Sequence, residues 1–370
     1  MSGTSMEISR DLYYSSLLFH HTRRLWRWLA RIESGIFRED IDKQSITAPI
    51  YIAGIARSGS TILLEMLNQH PHLACHRYSD FPNFYTPYWN NWLHQRTLNT
   101  GGTPKERSHS DRILITRDSP EAIEEAIWME FFPHCHSLET TQVLGAEGIN
   151  KDFESFYREH IAKLLLVRNR KRYLTKGNYN LTRLGYIHKL FPDARFLMPV
   201  RHPVNHIASM MKQDRLFCEG LKNNPRSQAY LGWAGHFEFG PDKRFINLGN
   251  RKLTEDILER WAAGDMVEGW ALHWKSLYEF ALNQQKTDTN LSAATLLVRY
   301  EDLCNNSEAT IEKILQHCLL PKELFEETAV KYSNSLTLPD YYQPSFSKNE
   351  LGIIQDICGE TAAHIGYGCF

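Results

Sequence analysis

The sequence predicts an α/β fold of three layers, in which a central parallel sheet is flanked by helices. Short apolar runs alternate with amphipathic runs along the chain, the pattern of strands joined by crossover helices. The chain has 370 residues, enough to bury a large core. No internal repeat or low-complexity tract interrupts the alternation. In such a sheet we expect ligands at the carboxyl ends of the strands.

The N-terminal region, residues 1–47, is predicted to be a helical extension that precedes a single α/β domain at residues 48–370. Residues 25–37 read LWRWLARIESGIF, which places apolar side chains from Leu25 to Ile36 at helical spacing with arginines between them. A helix of this kind packs on its own domain or lies on a membrane surface, and the first role is the commoner one.

The other elements follow from the same periodicities. Strands are predicted at residues 50–54, 172–175, 194–200 and 294–300. Helices are predicted at residues 60–69, 121–132, 153–167, 181–191, 203–213, 256–285 and 307–318. Two aromatic-rich segments, about residues 76–118 and 215–255, depart from the alternation and are predicted to be insertions.

Composition and charge restrict the function classes. Lys and Arg (42) nearly balance Asp and Glu (43), so the whole-chain charge of -1 gives no reason to expect nucleic acid as a partner. No stretch approaches the roughly 18 apolar residues that a membrane span needs. The 7 cysteines form no CxxC pair and are odd in number, which favours reduced thiols and a cytoplasmic protein over a disulfide framework or a zinc site.

The segment PIYIAGIARSGSTILLEMLNQHP, residues 49–71, combines an apolar strand, a turn of small residues and a helix start. The four-residue gap between Gly54 and Gly59 is that of a P-loop, and hydroxyl residues follow where free N–H groups favour an anion. The triphosphatase pattern requires Lys where this chain has Ser60, and the cation is instead Arg57. The segment predicts a P-loop-like phosphate site without the clamp for a triphosphate, or else a plain strand-to-helix turn.

A second candidate phosphate site lies in LMPVRHPVNHIASMMKQ, residues 197–213. A predicted strand delivers Arg201 to its carboxyl end, Pro203 begins the next helix, and Ser209 follows about two helical turns later. An arginine fork with a hydroxyl suits a terminal phosphate monoester, whereas an arginine that ends a strand by itself is more often part of a surface ion pair.

The third motif is LLVRYEDLCNN, residues 296–306. An aromatic side chain at a strand end, here Tyr300, can pack beside an adenine ring, and Asp302 can cap the turn or helix that follows. A core tyrosine with a capping aspartate is an equally good interpretation of this segment alone.

In this order the three segments resemble the sulfotransferase family that uses 3′-phosphoadenosine 5′-phosphosulfate (PAPS). In that family a loop of the type [KR]SG[TS]T receives the 5′-phosphosulfate, an Arg with a Ser eight residues later holds the 3′-phosphate, and a YED-type segment follows. The resemblance implies that the donor is bound by Arg57, Ser58, Gly59, Ser60, Thr61, Arg201, Ser209 and Tyr300. It also implies transfer of the sulfuryl group to a hydroxyl or amine, release of adenosine 3′,5′-bisphosphate, and no metal requirement.

The same resemblance points to a residue for the transfer itself. In YLTKGNYN, Lys176 stands about as far before Arg201 as the sulfuryl-contacting Lys of the family stands before its 3′-phosphate Arg. We therefore expect Lys176, together with Arg57, to contact the transferring group and the leaving oxygen. Two residues later the cytosolic small-molecule branch has a catalytic His, and this chain has Asn178, which cannot act as a base.

The missing histidine points to the branch that resembles tyrosylprotein and bacterial sulfotransferases, where an acidic residue after the first helix takes the proton. The first carboxylate there is Asp80, which is expected to be the base or, alternatively, to cap its own turn. His76 is the next candidate. His109, His134 and His136 are weaker candidates, and the cysteines and carboxylates around them do not have the spacing of a convincing zinc site, so no metal is expected.

The aromatic-rich segments are expected to supply the walls of an acceptor site, core packing, or a subunit contact in a homo-oligomer. The expected acceptor is a small molecule or a glycan-type group, with no nucleic acid and no membrane span, in a bacterial cytoplasm. Two other classes stay open at this point. One is a small-molecule or nucleoside kinase, which requires ATP and magnesium, and the other is a catalytically inactive nucleotide-binding protein.

Overall fold

Five parallel strands form a central sheet in the computed structural model, which describes residues 6–97, 104–106, 114–338 and 344–369. The strands are β1 (Ile50–Ala53), β2 (Leu73–Ala74), β3 (Lys105–Glu106), β4 (Leu114–Ile115), β5 (Arg172–Gly177), β6 (Arg195–Val200) and β7 (Thr295–Arg299). The order in the sheet is β2-β5-β1-β6-β7, and β3 pairs with β4 in a separate antiparallel ribbon. The four strands predicted from the sequence are all present.

Helices pack on both faces of this sheet. In the described residues they are α1 (Arg10–His21), α2 (Arg23–Ile36), α3 (Arg38–Lys43), α4 (Ser60–Asn68), α5 (Pro87–Thr97), α6 (Glu124–Phe131), α7 (Lys151–Arg168), α8 (Leu184–Leu190), α9 (Pro203–Leu221), α10 (Pro225–Ala234), α11 (Arg251–Ala263), α12 (Met266–Thr287), α13 (Thr289–Ala294), α14 (Tyr300–Asn305), α15 (Ser307–His317), α16 (Glu326–Ser335) and α17 (Lys348–Ile365). Short 3-10 turns lie at Tyr78–Asp80, Asn180–Thr182 and Lys322–Leu324.

Alternate side chains of β1 point to opposite faces of the sheet. Tyr51 and Ala53 belong to a large buried cluster with residues of α7, α8, α9, α12 and α17. Ile50 and Ile52 belong to a second cluster with residues of α4 and α15. All four side chains are fully buried, as expected for a central parallel strand. This helix-sheet-helix arrangement confirms the predicted three-layer α/β fold.

The strand order reverses at β1. From β1 the chain first builds β2 and β5 on one side, and then adds β6 and β7 on the other. Ligands of open α/β sheets bind in the crevice that such a switch point creates at the carboxyl ends of the strands. The residues that end or follow these strands, namely Gly54, Gly177, Arg201 and Tyr300, therefore gather at one edge.

The N-terminal extension is helical, in α1, α2 and α3. Its attachment includes a buried ion pair, in which Lys163 Nζ on α7 lies 3.0 Å from Glu33 Oε2 on α2. Ala30 of α2 belongs to the same buried cluster as the sheet residue Tyr51. The predicted division into residues 1–47 and 48–370 stays a prediction.

The second predicted insertion, residues 215–255, is largely helical. It contains the end of α9, all of α10 and the first turn of α11. The single helix predicted at 256–285 is instead two helices, since Gly264 with φ +89° ends α11.

The first predicted insertion, residues 76–118, falls only partly within the described chain. Residues 98–103 and 107–113 lie outside the described residues. The remainder contains one 3-10 turn, α5, and the β3-β4 ribbon.

Membrane helices and disulfides are absent from the described residues. No described helix is both long enough and apolar enough to cross a membrane. All seven cysteines are described, and each is a free thiol. Burial raises the pKa of Cys75 and Cys318 to about 12, so these thiols stay protonated at neutral pH and are poor nucleophiles.

Candidate active site

The loop between β1 and α4 requires glycine at two positions. A Cβ on Gly54 would stand 2.6 Å from Pro199 Cγ and 2.7 Å from Ser58 Oγ, so any larger residue displaces the loop. Gly59 has φ +96° and precedes the first turn of α4. The free N–H groups of that turn point toward the N-terminal end of the helix. Arg57 adopts φ +74°, a conformation that non-glycine residues rarely take and that is often found at ligand sites.

A buried histidine, His206, forms a hydrogen bond with the loop between β1 and α4. His206 Nε2 lies 2.8 Å from the carbonyl oxygen of Ala56, and the indole N–H of Trp274 donates to His206 Nδ1 at 3.1 Å. Because the indole N–H can only donate, Nδ1 of His206 is the acceptor. Nε2 therefore carries the ring proton and donates a hydrogen bond to the carbonyl oxygen of Ala56. Burial lowers the pKa of His206 to about 3, so the imidazole is neutral and keeps this tautomer.

The three motifs converge at the carboxyl edge of the sheet. Arg57 Nε donates to Ser209 Oγ at 3.2 Å, which joins the loop after β1 to the helix after β6. The ring of Tyr300, directly after β7, packs on Gly59. The Arg201 guanidinium carbon lies 5.4 Å from the centre of the same ring. Residues more than 200 positions apart in the chain, such as Gly59 and Tyr300, therefore form one site.

Arg201 carries a polar atom that the protein leaves unsatisfied. Its Nε is buried and has no hydrogen-bond partner among the described residues. A ligand bound at this edge would supply a partner for it. A guanidinium in this position can bind a phosphate by donating two parallel hydrogen bonds.

Lys176 adds a second positive charge at the start of α4. It lies near the end of β5, is buried, and donates through Nζ to Thr61 Oγ1 at 3.2 Å. Lys176 therefore lies beside the first turn of α4, and its expected contact with a transferring group stays a prediction. Ser58 and Ser60 are also buried, and the backbone N–H of Ser58 donates to Ile55 within the loop.

A cavity of about 320 Å³ opens beside this cationic edge. Arg57, Thr61 and Lys176 line one end of it. The rest of its wall is mostly apolar and aromatic and includes residues of the N-terminal extension, such as Leu12, of the first insertion, such as Phe81, and of the second insertion, such as Tyr230. The aromatic-rich insertion therefore does line a cavity, as one of the predicted alternatives holds.

Two side chains in this cavity, His236 and Glu238, were not singled out from the sequence. His236 Nδ1 lies 3.6 Å from Glu238 Oε2, and Asn178 Nδ2 donates to Glu238 Oε1 at 2.6 Å. Burial alone would lower the pKa of His236, but the nearby Glu238 carboxylate raises it above its ordinary value. The H-x-E spacing in AGHFEFG was the available signal, although only the fold brings Asn178 to it.

Glu121 is a third titratable group of the cavity that sequence reasoning missed. Burial alone would raise its pKa, but the charge of Lys176 and a hydrogen bond from Tyr78 lower it. Glu121 is therefore ionised at neutral pH. The sequence did not reveal its position because Glu121 approaches Lys176, 55 residues later, only through the tertiary fold.

The predicted base, Asp80, does not line this cavity. Both of its carboxylate oxygens accept from Arg168 Nη2, at 2.7 and 2.9 Å, and the N–H of Arg77 donates to Oδ2 at 2.9 Å. Burial alone would raise the pKa of Asp80, but His76 and Arg168 lower it far below its usual range. This pairing and capping disfavour the expectation that Asp80 is the base and favour the alternative that it caps its own turn.

The surroundings of His76 likewise disfavour a role as the base. Its side chain is buried, and its Nε2 lies 3.1 Å from Nε2 of His160 in the interior. It lines a separate small cavity together with Asp80, away from Lys176. His76 therefore belongs to a structural cluster under the site.

One group of metal-type ligands lies elsewhere, at Glu125, Cys135 and His136, whose ligand atoms are all within 4.8 Å of one another. Arg183 already pairs with both carboxylate oxygens of Glu125, at 2.8 and 2.7 Å. Burial alone would raise the pKa of Glu125, but Arg183 and His136 lower it to about 2. A guanidinium thus takes the place that a metal ion would occupy, and we interpret the group as a buried ion-pair network.

The fold and the loop define a P-loop-like α/β protein whose sheet has a cationic carboxyl edge. A sequence profile described as the sulfotransferase family matches residues 49–235, just over half of the chain. The chain belongs to the sulfotransferase family. No curated protein sequence matches it.

Solved structures with a similar fold are also sulfotransferases. STF9 from Mycobacterium avium has 12% sequence identity and a TM-score of 0.51, covering 90% of this chain and 81% of that chain. STF1 from Mycobacterium tuberculosis H37Rv has 17% identity and a TM-score of 0.45 over the same shares of both chains. A sulfotransferase from Alicyclobacillus acidocaldarius has 13% identity and a TM-score of 0.42, covering 87% of this chain and 95% of that chain. At such low sequence identities the similarity concerns the fold alone. The structure that supports it is STF9, with its TM-score of 0.51.

Proposed function

We propose that the protein transfers the sulfuryl group of PAPS to a hydroxyl or amine of an acceptor bound in the 320 Å³ cavity. The observation that carries the proposal is the presence of two arginine motifs at one edge of the sheet, joined by the Arg57–Ser209 hydrogen bond. One motif suits a 5′-phosphosulfate and the other a 3′-phosphate. A nucleotide with phosphates on both sides of its ribose fits this pair.

The residues present fit the donor. The free N–H groups at the start of α4, with Ser60 and Thr61, suit the 5′ end, and no lysine stands at position 60 to reach a γ-phosphate. The buried Nε of Arg201 has no partner among the described residues, which a 3′-phosphate would supply. Tyr300 offers a ring beside Arg201 against which the nucleoside can pack.

In the proposed step, an acceptor oxygen or nitrogen forms a bond to sulfur while the bond from sulfur to the 5′-phosphate oxygen breaks. The electron pair of that bond stays on the leaving phosphate, and adenosine 3′,5′-bisphosphate is released. Lys176 and Arg57 stabilise the charge that develops on the leaving oxygen. Since these side chains supply the positive charge, we expect turnover to persist in EDTA.

We assign the role of base to His236. A carboxylate that binds one imidazole nitrogen orients the ring and raises its basicity, and Glu238, itself held by Asn178, stands in that position. The acceptor proton then goes to Nε2 of His236. Glu121 is the second candidate, because it is an ionised carboxylate in the same cavity.

The experiment that tests the function has two arms. Calorimetry should detect tight binding of adenosine 3′,5′-bisphosphate, weaker binding of AMP, and no tight binding of Mg-ATP. Assays with sulfur-labelled PAPS and a panel of alcohols, phenols, amines and glycans should then transfer label to at least one acceptor. Preference for Mg-ATP would instead identify a kinase. Binding of the bisphosphate without transfer to any acceptor would identify an inactive nucleotide-binding protein.

A further inference from the structure

The outer face of the N-terminal helices is unusually apolar for a surface. Five large side chains of α1 and α2 are about half exposed or more, at Tyr14 (54%), Leu18 (57%), Leu25 (49%), Trp28 (56%) and Ile36 (63%). In α2 the residues Leu25, Trp28 and Ile36 are spaced by three and eight, so they share one side of the helix. The opposite side of α2 is buried against the protein, through residues such as Ala30.

This face of α2 is also positively charged. Arg24 and Arg31 are exposed, lie two turns apart, and have no ion-pair partner among the described residues. The acidic residue of α2, Glu33, is fully buried and neutralised by Lys163 at 3.0 Å. The face therefore carries apolar side chains flanked by uncompensated arginines. We call Leu25, Trp28, Ile36, Arg24 and Arg31 the outer face of α2.

We propose that the outer face of α2 docks on an anionic membrane surface. Leucine and isoleucine can enter the acyl boundary, tryptophan prefers the interface, and arginine reaches lipid phosphates while its stem covers apolar surface. Apolar insertion and basic charge are the two signals that together give stable membrane binding. The proposal does not depend on which reaction the cavity supports.

Charge favours this occupant over a second copy of the chain. Two copies that packed through this face would share its apolar residues, but the face holds no acidic side chain to pair with Arg24 or Arg31 of the other copy. Like charges would then be brought together at the contact. Anionic headgroups supply the missing counter-charge.

Vesicle sedimentation with the whole chain tests the proposal. We expect binding to vesicles of phosphatidylcholine and phosphatidylglycerol in equal amounts, weak binding to phosphatidylcholine alone, and loss of binding as salt rises. The double variant Arg24→Glu/Arg31→Glu should lose about tenfold or more in affinity for the anionic vesicles. Leu25→Ser/Trp28→Ser should lose a similar factor through its apolar contacts.

The controls separate docking from general surface change. Leu324→Ser/Val330→Ser removes apolar side chains that are 46% and 60% exposed elsewhere, and should bind vesicles like the parent protein. Thermal melting and binding of adenosine 3′,5′-bisphosphate should be the same in all these variants. If the parent protein does not sediment with anionic vesicles, or if the α2 variants bind equally well, the proposal is wrong. A dimer in solution that Leu25→Ser/Trp28→Ser converts to monomer would also overturn it, because a second copy would then cover the face.

Discussion

The ring of Tyr300 packs on the backbone of Gly59 so closely that a Cβ at position 59 would stand 2.5 Å from Tyr300 Cδ2. Gly59 belongs to the loop after β1, and Tyr300 follows β7 at the edge of the sheet. Sheet order places β6 between them. The contact therefore couples the loop that suits the 5′ end of the donor to the ring that suits its nucleoside.

We expect Gly59→Ala to lower the affinity for adenosine 3′,5′-bisphosphate by about tenfold or more. The φ of +96° costs alanine about 1–2 kcal/mol, and the methyl group must also displace the Tyr300 ring. Calorimetry measures the affinity. The matched control is Gly352→Ala, where an added Cβ meets nothing within 4 Å in the middle of α17. It should bind the nucleotide normally, and equal affinities for the two variants would contradict the assigned loop.

Arg201→Ala should weaken binding of adenosine 3′,5′-bisphosphate by about 10- to 100-fold, because a charged hydrogen bond is worth roughly 1.5–3 kcal/mol. Binding of AMP, which lacks the 3′-phosphate, should change little. Calorimetry with both nucleotides measures the difference. An equal loss for AMP and the bisphosphate would show that Arg201 supports the fold of the site rather than the 3′-phosphate.

His236→Gln should lower kcat by about 10²- to 10⁴-fold, the usual range for a general base, with bisphosphate binding kept. The pH profile gives an independent readout. The pKa of His236 is raised, so its neutral form is lost as pH falls through a value above about 6.5, and turnover should fall with it.

The acid limb of the kcat/KM profile separates the two candidate bases, His236 and Glu121. The pKa of Glu121 is lowered, so it remains ionised at all pH values above about 4.3. If Glu121 is the base, the acid limb of the kcat/KM profile lies below that value, and His236→Gln leaves the limb unchanged. That result would refute the assignment to His236.

Asp80→Asn should destabilise the protein and leave kcat unchanged. The change leaves Arg168 nearly buried beside a neutral amide, which costs about 3–5 kcal/mol for a buried pair. The folded pKa of Asp80 is depressed, so its contribution is present above the unfolded value of about 3.9 and is lost as pH falls. Denaturant unfolding should show a gap between variant and parent at pH 7 that shrinks at lower pH. A variant of normal stability without turnover would restore Asp80 as the base.

The sequence predicted the fold, and it predicted the three motifs that meet at the carboxyl edge of the sheet, because both depend on local pattern. The local pattern of residues 49–71 predicts a strand, a turn and a helix. Arg201 and Tyr300 each follow an apolar run that predicts a strand. Parallel pairing then brings strand ends together whatever their distance in the chain.

The proposed base, His236, could not be predicted in the same way. Asp80 has the right position in sequence, but its partner Arg168 is 88 residues away, and only packing shows that the carboxylate is already paired. His236 lies in an insertion whose path no periodicity reveals. Its carboxylate partner is held by Asn178, 60 residues earlier, in a contact that depends on tertiary structure.

His206 has a consequence for how any pH profile of this enzyme is interpreted. Its imidazole stays neutral down to a pKa of about 3, so the bond that supports Ala56 is the same at pH 5 as at pH 9. The donor loop should therefore keep its shape throughout the range in which enzyme assays are run. A titration seen in turnover within that range therefore does not come from the bond between His206 and Ala56.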